Sequence, residues 1–197
     1  LKAQNIYTIA YVDCFEDRAM GGQQDLSFMT EYGFNWMGPN NNYGWGNPTN
    51  QKVRDYLVGI VDELSQMGFD EILLYNAGFP TEGKIDTIKQ DENYDATKFA
   101  QIIGDFYDQA AQAAEQGGAK LSVVTTADTI QTGSDAKSGQ TLENLSKLSR
   151  VWIRDAGSSD LNALEQKLAE AGMKERPLGV FTNNLDAGQT VCQAVLK

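Results

Sequence analysis

Acidic residues follow three of the segments that the sequence predicts to be β-strands, and their side chains could do acid–base chemistry. Asp13 ends the first strand, Asp128 lies two residues beyond the third, and Asp155 ends the fourth. The 197 residues include no histidine, so Ser-His and Cys-His catalysis and histidine-ligated metal sites are excluded. Acid–base work therefore falls to Asp, Glu, Tyr or Lys.

The surroundings of Asp13 leave two interpretations open. Glu16 follows the same strand, and the two-residue period of a strand places Tyr11 and Asp13 on one face. A charged side chain at the end of a buried strand needs solvent, a partner or a function. Asp13 therefore either contacts a ligand or forms a structural ion pair, with Arg18 or Arg154 as its partner.

A long stretch between the first strand and the first helix, residues 16–50, is rich in aromatic, polar and glycine residues. Loops of this size inside compact domains are usually functional or disordered. Trp36, Tyr43 and Trp45 offer flat rings that stack on the C–H faces of sugars, and the nearby asparagines offer amides that bind hydroxyl groups. The alternative for Trp45 is that it only anchors the loop.

Composition excludes several kinds of partner. The net charge is -11 and no basic cluster is present, which argues against nucleic acid and anionic membranes. No run approaches the 18 or so apolar residues of a membrane-spanning segment, and no signal-peptide pattern is present. No metal-ligand spacing stands out, so neither a metal nor another cofactor is expected. The distant Cys14 and Cys192 are typical of buried apolar residues and leave the redox compartment open.

Predicted strands and helices alternate five times along the chain. The predicted strands are 6–13, 71–76, 120–126, 150–154 and 178–182, and a last helix begins near Asp186. No hairpin signal separates the strands, so the sheet is expected to be parallel. The first strand is not followed by the glycine-rich phosphate loop of a nucleotide-binding, doubly wound sheet.

The alternation therefore predicts an α/β fold with a parallel sheet of about five βα units in a single domain, residues 1–197. Two architectures have this pattern, a doubly wound open sheet and a parallel (β/α) TIM-type barrel. Five units cannot close a barrel of eight strands. Either further strands lie outside this chain, which would make it a partial barrel, or the sheet is open and has no role with sugars.

Six segments carry a resemblance to a known family. They are Ile6–Asp17, Trp45–Pro48, Asp55–Tyr56, Gly68–Ile72, Phe79–Pro80 and Ser138–Gln140. In this order they resemble a bacterial family of "putative glycoside hydrolases" with an α-amylase-like (β/α)8 barrel, from Asn5 to about Ile153. The resemblance implies that the five strands are the third to seventh of eight, so that the first two and the last are lacking. It also implies a carbohydrate ligand and an extracellular or cell-surface location, with a cytoplasmic one not excluded.

The chain departs from that family at the positions expected to form the site. The family's strand-end Asp is Tyr75 and its following Arg is Gly78; an earlier Arg is Tyr11, and a further Asp falls at Val124. The segment after the fourth strand begins with Arg154 instead of the family's Pro-Met pair. The resemblance therefore implies a retained scaffold with an altered or lost active site.

Two sets of candidate residues follow. The catalytic candidates are Asp13, Asp128, Asp155 and Tyr75. A tyrosine nucleophile would need an activating base, so packing or a hydrogen bond to a sugar fits Tyr75 better. The substrate-binding candidates are Tyr11, Trp36, Tyr43, Trp45, Asn76, Arg154 and Asn183. The resemblance favours a glycoside-hydrolase-like protein with an altered site; the alternative is a non-catalytic saccharide-binding or structural domain of a bacterial surface protein. The sequence carries no signal for an oligomeric state.

Overall fold

The computed structural model describes residues 4–39, 43–154, 157, 159–173, 177–182 and 192–195. Its strands are β1 (Ile9–Asp13), β2 (Glu71–Tyr75), β3 (Lys120–Thr125), β4 (Ser134–Asp135), β5 (Gln140–Thr141), β6 (Arg150–Ile153), β7 (Leu178–Thr182) and β8 (Cys192–Val195). Its helices are α1 (Arg18–Gly21), α2 (Gln51–Gln66), α3 (Phe99–Gln116), α4 (Ala127–Thr132), α5 (Leu142–Leu145) and α6 (Leu161–Glu170). Asp155 and Asn183, two of the predicted site residues, lie outside the described residues.

Six strands form one parallel sheet in the order β1-β2-β3-β6-β7-β8, and β4 and β5 form a separate antiparallel pair. Each strand of the large sheet is added on the same side as the one before it. A doubly wound sheet would instead reverse its strand order. The sheet with its helices matches part of a TIM-type barrel, which confirms the predicted fold class.

The chain forms strands at the five predicted places. The predicted start of a last helix near Asp186 lies outside the described residues, and residues 192–195 form a strand that was not predicted. Cys192–Val195 form β8, which pairs in parallel with β7 from Gly179 to Thr182. A segment of four residues contains too little of either period to separate a strand from a helix. The free edge of β7 decides the matter, because it supplies partners for the backbone N–H and C=O groups of β8.

The two faces of the sheet belong to two hydrophobic clusters. The outer cluster combines the apolar sides of α2 and α3 with alternate strand residues, among them Ile72, Leu74, Val123 and Val151. The inner cluster contains Leu73, Trp152 and Phe181. Gly179 makes room for the inner cluster, because a Cβ atom there would lie 2.4 Å from Cδ2 of Trp152.

A fully buried carboxylate ties the inner face together at the start of β2. Both oxygens of Glu71 accept hydrogen bonds, from Tyr7 Oη at 2.8 Å, Ser122 Oγ at 2.6 Å and Trp152 Nε1 at 3.0 Å. Arg150 Nη1 lies 2.5 Å away and forms an ion pair with it. A buried charge is costly unless donors and a counter-charge surround it, and here four side chains from three other segments do so.

Candidate active site

A cleft of about 450 Å³ lies at the carboxyl end of the sheet, where the segments after β1, β2, β3 and β6 meet. Glu16, Trp45, Tyr75, Asn76, Glu82 and Arg154 are among the residues that line it. This is the end of a parallel barrel at which βα loops build active sites. The described residues contain no group of three or more Cys, Asp or Glu side chains placed to hold a metal ion.

Two carboxyl groups at this cleft share one hydrogen-bond donor. Nδ2 of Asn76 donates to Oδ1 of Asp13 at 2.9 Å and to Oε2 of Glu16 at 3.1 Å. Because both oxygens bond to the same nitrogen, they are no more than about 6 Å apart. Glu16 and Asn76 line the cleft, and Asp13 adjoins it through Asn76.

Asn76 holds this arrangement from a left-handed backbone conformation. Its φ is 47°, a region that few residues other than glycine adopt and that asparagine tolerates better than most. The N–H of Phe15 donates to the carbonyl of Asn76 at 3.2 Å, so the segment after β1 and the turn after β2 are bonded to one another. Backbone strain of this kind is often found at functional sites.

Both carboxyl groups favour their protonated form more than a free side chain does. Partial burial is the main cause that raises the pKa of Asp13 to about 6; the hydrogen bond from Asn76 opposes it, and the charges of Glu16 and Asp17 add to it. Burial also raises the pKa of Glu16, against the same hydrogen bond, and the charge of Glu82 adds to the effect. Asp13 keeps contact with solvent, so its carboxyl group can exchange protons freely.

The second oxygen of Glu16 is enclosed by the loop after α1. Oε1 is buried, and no donor among the described residues reaches it. Gly38 lies against it so closely that a Cβ atom there would be 2.7 Å from Oε1. If Glu16 were ionised, the buried Oε1 would share the negative charge without a hydrogen-bond donor. A protonated carboxyl group carries no charge, so its burial costs less free energy.

Tyr75 belongs to a stack of side chains on the inner face. Its ring stacks on Tyr11 with centroids 5.6 Å apart, and Tyr11 meets Phe181 edge-on at 6.3 Å. The guanidinium of Arg154 lies 4.8 Å from the centre of the Tyr75 ring and also donates to its hydroxyl. The Tyr75 hydroxyl thus has a cationic donor as its neighbour. Arg154 contacts Tyr75 in place of the ion pair with Asp13 that the sequence suggested as one alternative.

The structure separates the three aromatic residues of the long loop. Trp36 is 1% exposed and its indole N–H donates to the carbonyl of Lys84 at 2.9 Å, so its ring is part of the core and not available to a sugar. The ring of Trp45 meets that of Trp36 edge-on, and its indole N–H donates to the carbonyl of Gly78 at 3.2 Å. This hydrogen bond anchors the loop, and Trp45 also lines the cleft. Tyr43 is exposed and does not line the cleft.

The remaining candidates are placed as follows. Asp128 is exposed in the first turn of α4 and does not line the cleft. Glu16, in contrast, was not among the catalytic candidates, although its place three residues after Asp13 is a signal that could have found it. Its partner Asn76, a predicted substrate-binding residue, lines the cleft, and its amide nitrogen is bonded to the two carboxyl groups.

Gly78 lies against a neighbouring loop. A Cβ atom at Gly78 would lie 2.8 Å from the carbonyl oxygen of Ser138, and the N–H of Phe79 donates to that oxygen at 2.9 Å. A larger side chain therefore requires the backbone to move. The turn after β2 and the loop before β5 are therefore in close contact at Gly78.

A family model described as "Putative glycosyl hydrolase domain" matches residues 1–151. The chain belongs to this family. The part that matches the glycosyl hydrolase domain includes Asp13, Glu16 and Asn76, and therefore the whole carboxylate pair. No curated protein matches the sequence.

Three solved structures show what the fold is similar to. A hypothetical protein from Ruminiclostridium thermocellum is 28% identical over 62% of this chain and 60% of its own, with a TM-score of 0.49. Ega3 from Aspergillus fumigatus, solved with galactosamine, is 14% identical over 92% of this chain and 61% of its own, with a TM-score of 0.53. The glycoside hydrolase domain of PelA from Pseudomonas aeruginosa is 14% identical over 91% of this chain and 68% of its own, with a TM-score of 0.52. The chain thus spans about three fifths of the first two proteins, and the likeness to the last two shows the fold.

Among the described helices, none has both the length and the apolar character that crossing a membrane requires.

Proposed function

We propose that the protein is a glycoside hydrolase whose two catalytic carboxyl groups are Glu16 and Asp13. The observation that carries this proposal is the shared amide of Asn76, which places the two carboxyl groups side by side at the cleft. Retaining glycosidases place their carboxyl groups about 5 Å apart, and inverting ones about 6.5–9.5 Å apart. Because the bonded oxygens here are no more than about 6 Å apart, the geometry favours the retaining reaction.

The two carboxyl groups have different roles in this proposal. Glu16 lines the cleft, its buried Oε1 has no hydrogen-bond donor among the described residues, and burial raises its pKa. All three features favour the protonated form that a general acid needs, so Glu16 serves as the general acid. Asp13, with a pKa of about 6, is ionised at neutral pH and serves as the nucleophile. The glycosidic C–O bond breaks as Glu16 protonates the leaving oxygen and Asp13 bonds to the anomeric carbon. Glu16 then takes a proton from water, whose oxygen displaces Asp13 and returns both groups to their starting state.

We also infer that the acid–base function has moved from the second strand to the first on an α-amylase-like barrel. Tyr75 stands at the strand end where the family's aspartate would be, and Arg154 covers it. The pair Asp13–Glu16 offers a replacement one strand away, joined to that strand by Asn76. We propose a saccharide substrate and a bacterial cell-surface or extracellular location, since polysaccharides that such a cleft would hydrolyse are found there.

A second function, saccharide binding without hydrolysis, is favoured by the stack of Tyr11, Tyr75 and Arg154. These side chains form an aromatic and cationic surface where the family carries charged site residues. Flat rings of this kind bind sugar faces without any acid–base chemistry. Under this alternative Asp13 and Glu16 would only bind hydroxyl groups.

Hydrolysis and binding assays on matched variants separate the two functions. Wild-type protein, Asp13→Ala and Asp128→Ala are compared for reducing-end release from a panel of polysaccharides and for binding to a glycan array. Asp128 is the control because it is an exposed aspartate outside the cleft. We expect hydrolysis by wild type and Asp128→Ala, with a loss of about a hundredfold or more in Asp13→Ala.

Three outcomes count against one or both functions. Unchanged hydrolysis in Asp13→Ala would remove Asp13 from the mechanism. Binding of a glycan without any hydrolysis by the wild type would favour the second function over the first. Neither hydrolysis nor binding across the panel and the array would contradict both.

A further inference from the structure

A buried series of hydrogen bonds adjoins the cleft and is not used by the proposed reaction. Tyr107 on α3 is fully buried, and its hydroxyl donates to the carbonyl of Ala77 at 2.8 Å. Nε2 of Gln140 donates to Tyr107 Oη at 2.9 Å and to the carbonyl of Val124 at 3.1 Å. Oε1 of Gln140 accepts from Thr125 Oγ1 at 2.8 Å.

The direction of this series follows from what each group can donate. A carbonyl only accepts, so the amide nitrogen of Gln140 must face Val124, and its oxygen must face Thr125. The same nitrogen donates to the hydroxyl oxygen of Tyr107, which therefore directs its own proton to Ala77. Each of these side-chain polar groups has a hydrogen-bond partner, and the carbonyl of Ala77 has the Tyr107 hydroxyl as its donor.

Ala77 directly follows the residue that holds the two carboxyl groups. The left-handed conformation of Asn76 is unfavourable by itself and persists only when its surroundings fix it. Tyr107 fixes the carbonyl of Ala77, and Trp45 fixes that of Gly78. Without the bond from Tyr107, the peptide between Ala77 and Gly78 loses its donor, and the turn that holds Asn76 in its left-handed conformation is loosened. The amide of Asn76 that joins Asp13 to Glu16 is then less firmly held.

We propose that Tyr107 and Gln140 are positioning residues of the active site, which act by holding the turn at Asn76 so that its amide joins Asp13 to Glu16. This inference gives a role to the Ser138–Gln140 segment, which the two catalytic carboxyl groups leave unexplained. It rests on the proposed function for its consequence in turnover. The geometric part can be tested without turnover.

The test is a titration of the side-chain carboxyl groups of Asp13 and Glu16 by ¹³C NMR. Wild type is compared with Tyr107→Phe, which removes only the hydroxyl, and with Gln140→Met, which removes the amide that orients it. Tyr94→Phe is the control, because it removes a hydroxyl from a tyrosine packed among Phe28, Phe79 and Phe99, away from this series of hydrogen bonds. Asn76→Ala gives the size of the shift when the amide is absent.

The hydrogen bond from Asn76 lowers the pKa of both carboxyl groups, so weakening it must raise them. We expect an upward shift of about 0.5 pKa unit or more in Tyr107→Phe and Gln140→Met, and none in Tyr94→Phe. On any substrate that the wild type hydrolyses, we expect kcat to fall by about tenfold to a hundredfold with little change in KM.

Each outcome is decisive for a different statement. Wild-type titration curves in a folded Tyr107→Phe, together with a clear shift in Asn76→Ala, would overturn the positioning role. If Tyr107→Phe does not fold, the titration curves of Gln140→Met are compared with those of wild type in its place. A shift without hydrolysis by the wild type would support the positioning role while the proposed hydrolase function fails.

Discussion

Replacing Asp13 with asparagine is predicted to stabilise the protein at neutral pH while it abolishes hydrolysis. Burial raises the pKa of this carboxyl group from 3.8 to about 6, so the folded state holds its proton more strongly than the unfolded state does. Stability therefore falls as the pH rises through this interval, because the unfolded state ionises first. The asparagine side chain would mimic the protonated form and keep an acceptor for the amide of Asn76.

The magnitude follows from the shift. Two pKa units correspond to nearly 3 kcal/mol, at about 1.4 kcal/mol for each unit. Asp13 is more than a third exposed, and solvent screens its charge, so we expect about 1 kcal/mol of this to be observed. For a chain of 197 residues, that corresponds to a rise in Tm of about 2–4 °C.

The assay is urea denaturation of wild type and Asp13→Asn at pH 7.5 and pH 4. The variant should be more stable at pH 7.5, and most of the difference should disappear at pH 4, where wild-type Asp13 is protonated in the folded state. Asp105→Asn, at an exposed position on α3, is the control and should show no such pH-dependent gain. A variant that is less stable than wild type at pH 7.5, or a gain that is equal at both pH values, would refute this reasoning.

Three further predictions concern stability and are measured by the same denaturation assay. Glu71→Gln should lower the free energy of unfolding by about 3–5 kcal/mol, because it removes a buried charge that faces Arg150. The control Glu63→Gln, at an exposed position, should change it by less than about 0.5 kcal/mol. Equal effects of the two substitutions would contradict the role of the buried pair. Gly78→Ala should lose about 1–3 kcal/mol through its contact with the Ser138 carbonyl, and a neutral result would show that the loops separate easily. Trp36→Ala should lose about 3–5 kcal/mol, and loss of sugar binding without loss of stability would disprove its place in the core.

The sheet could be predicted from the sequence because each of its first five strands carries a strong local signal. Ile72–Leu74 in β2 and Leu178–Phe181 in β7 are continuous apolar runs, which is typical of strands buried on both faces. Cys192–Val195 could not be predicted, since its only decisive feature is the partner strand β7. The family resemblance added the barrel, which no local pattern contains.

The candidate site could be predicted as a region but not as a set of contacts. Residues after strand ends were the right place to search, and Asp13 and Asn76 were found in this way. The role of Glu16 depends on a left-handed turn 60 residues later in the chain and on the approach of Gly38, neither of which leaves a local pattern. Trp36 was expected to contact sugar because aromatic rings in a polar loop suggest exposure; its burial results from the loop folding back over the core.

The central claim is tested most directly by measuring hydrolysis by wild type and Glu16→Gln on two substrates that differ only in their leaving group. A general acid matters for a poor leaving group such as an alcohol or a sugar, and little for one that departs without a proton, such as dinitrophenolate. We predict that Glu16→Gln lowers kcat/KM, which reports the first step, by about 10²–10⁴-fold on the substrate with a sugar leaving group. On the matched dinitrophenyl glycoside kcat/KM should stay nearly unchanged, while kcat falls because Glu16 is also the base of the second step. Equal rates for wild type and Glu16→Gln on both substrates would contradict the assignment of Glu16 as the acid.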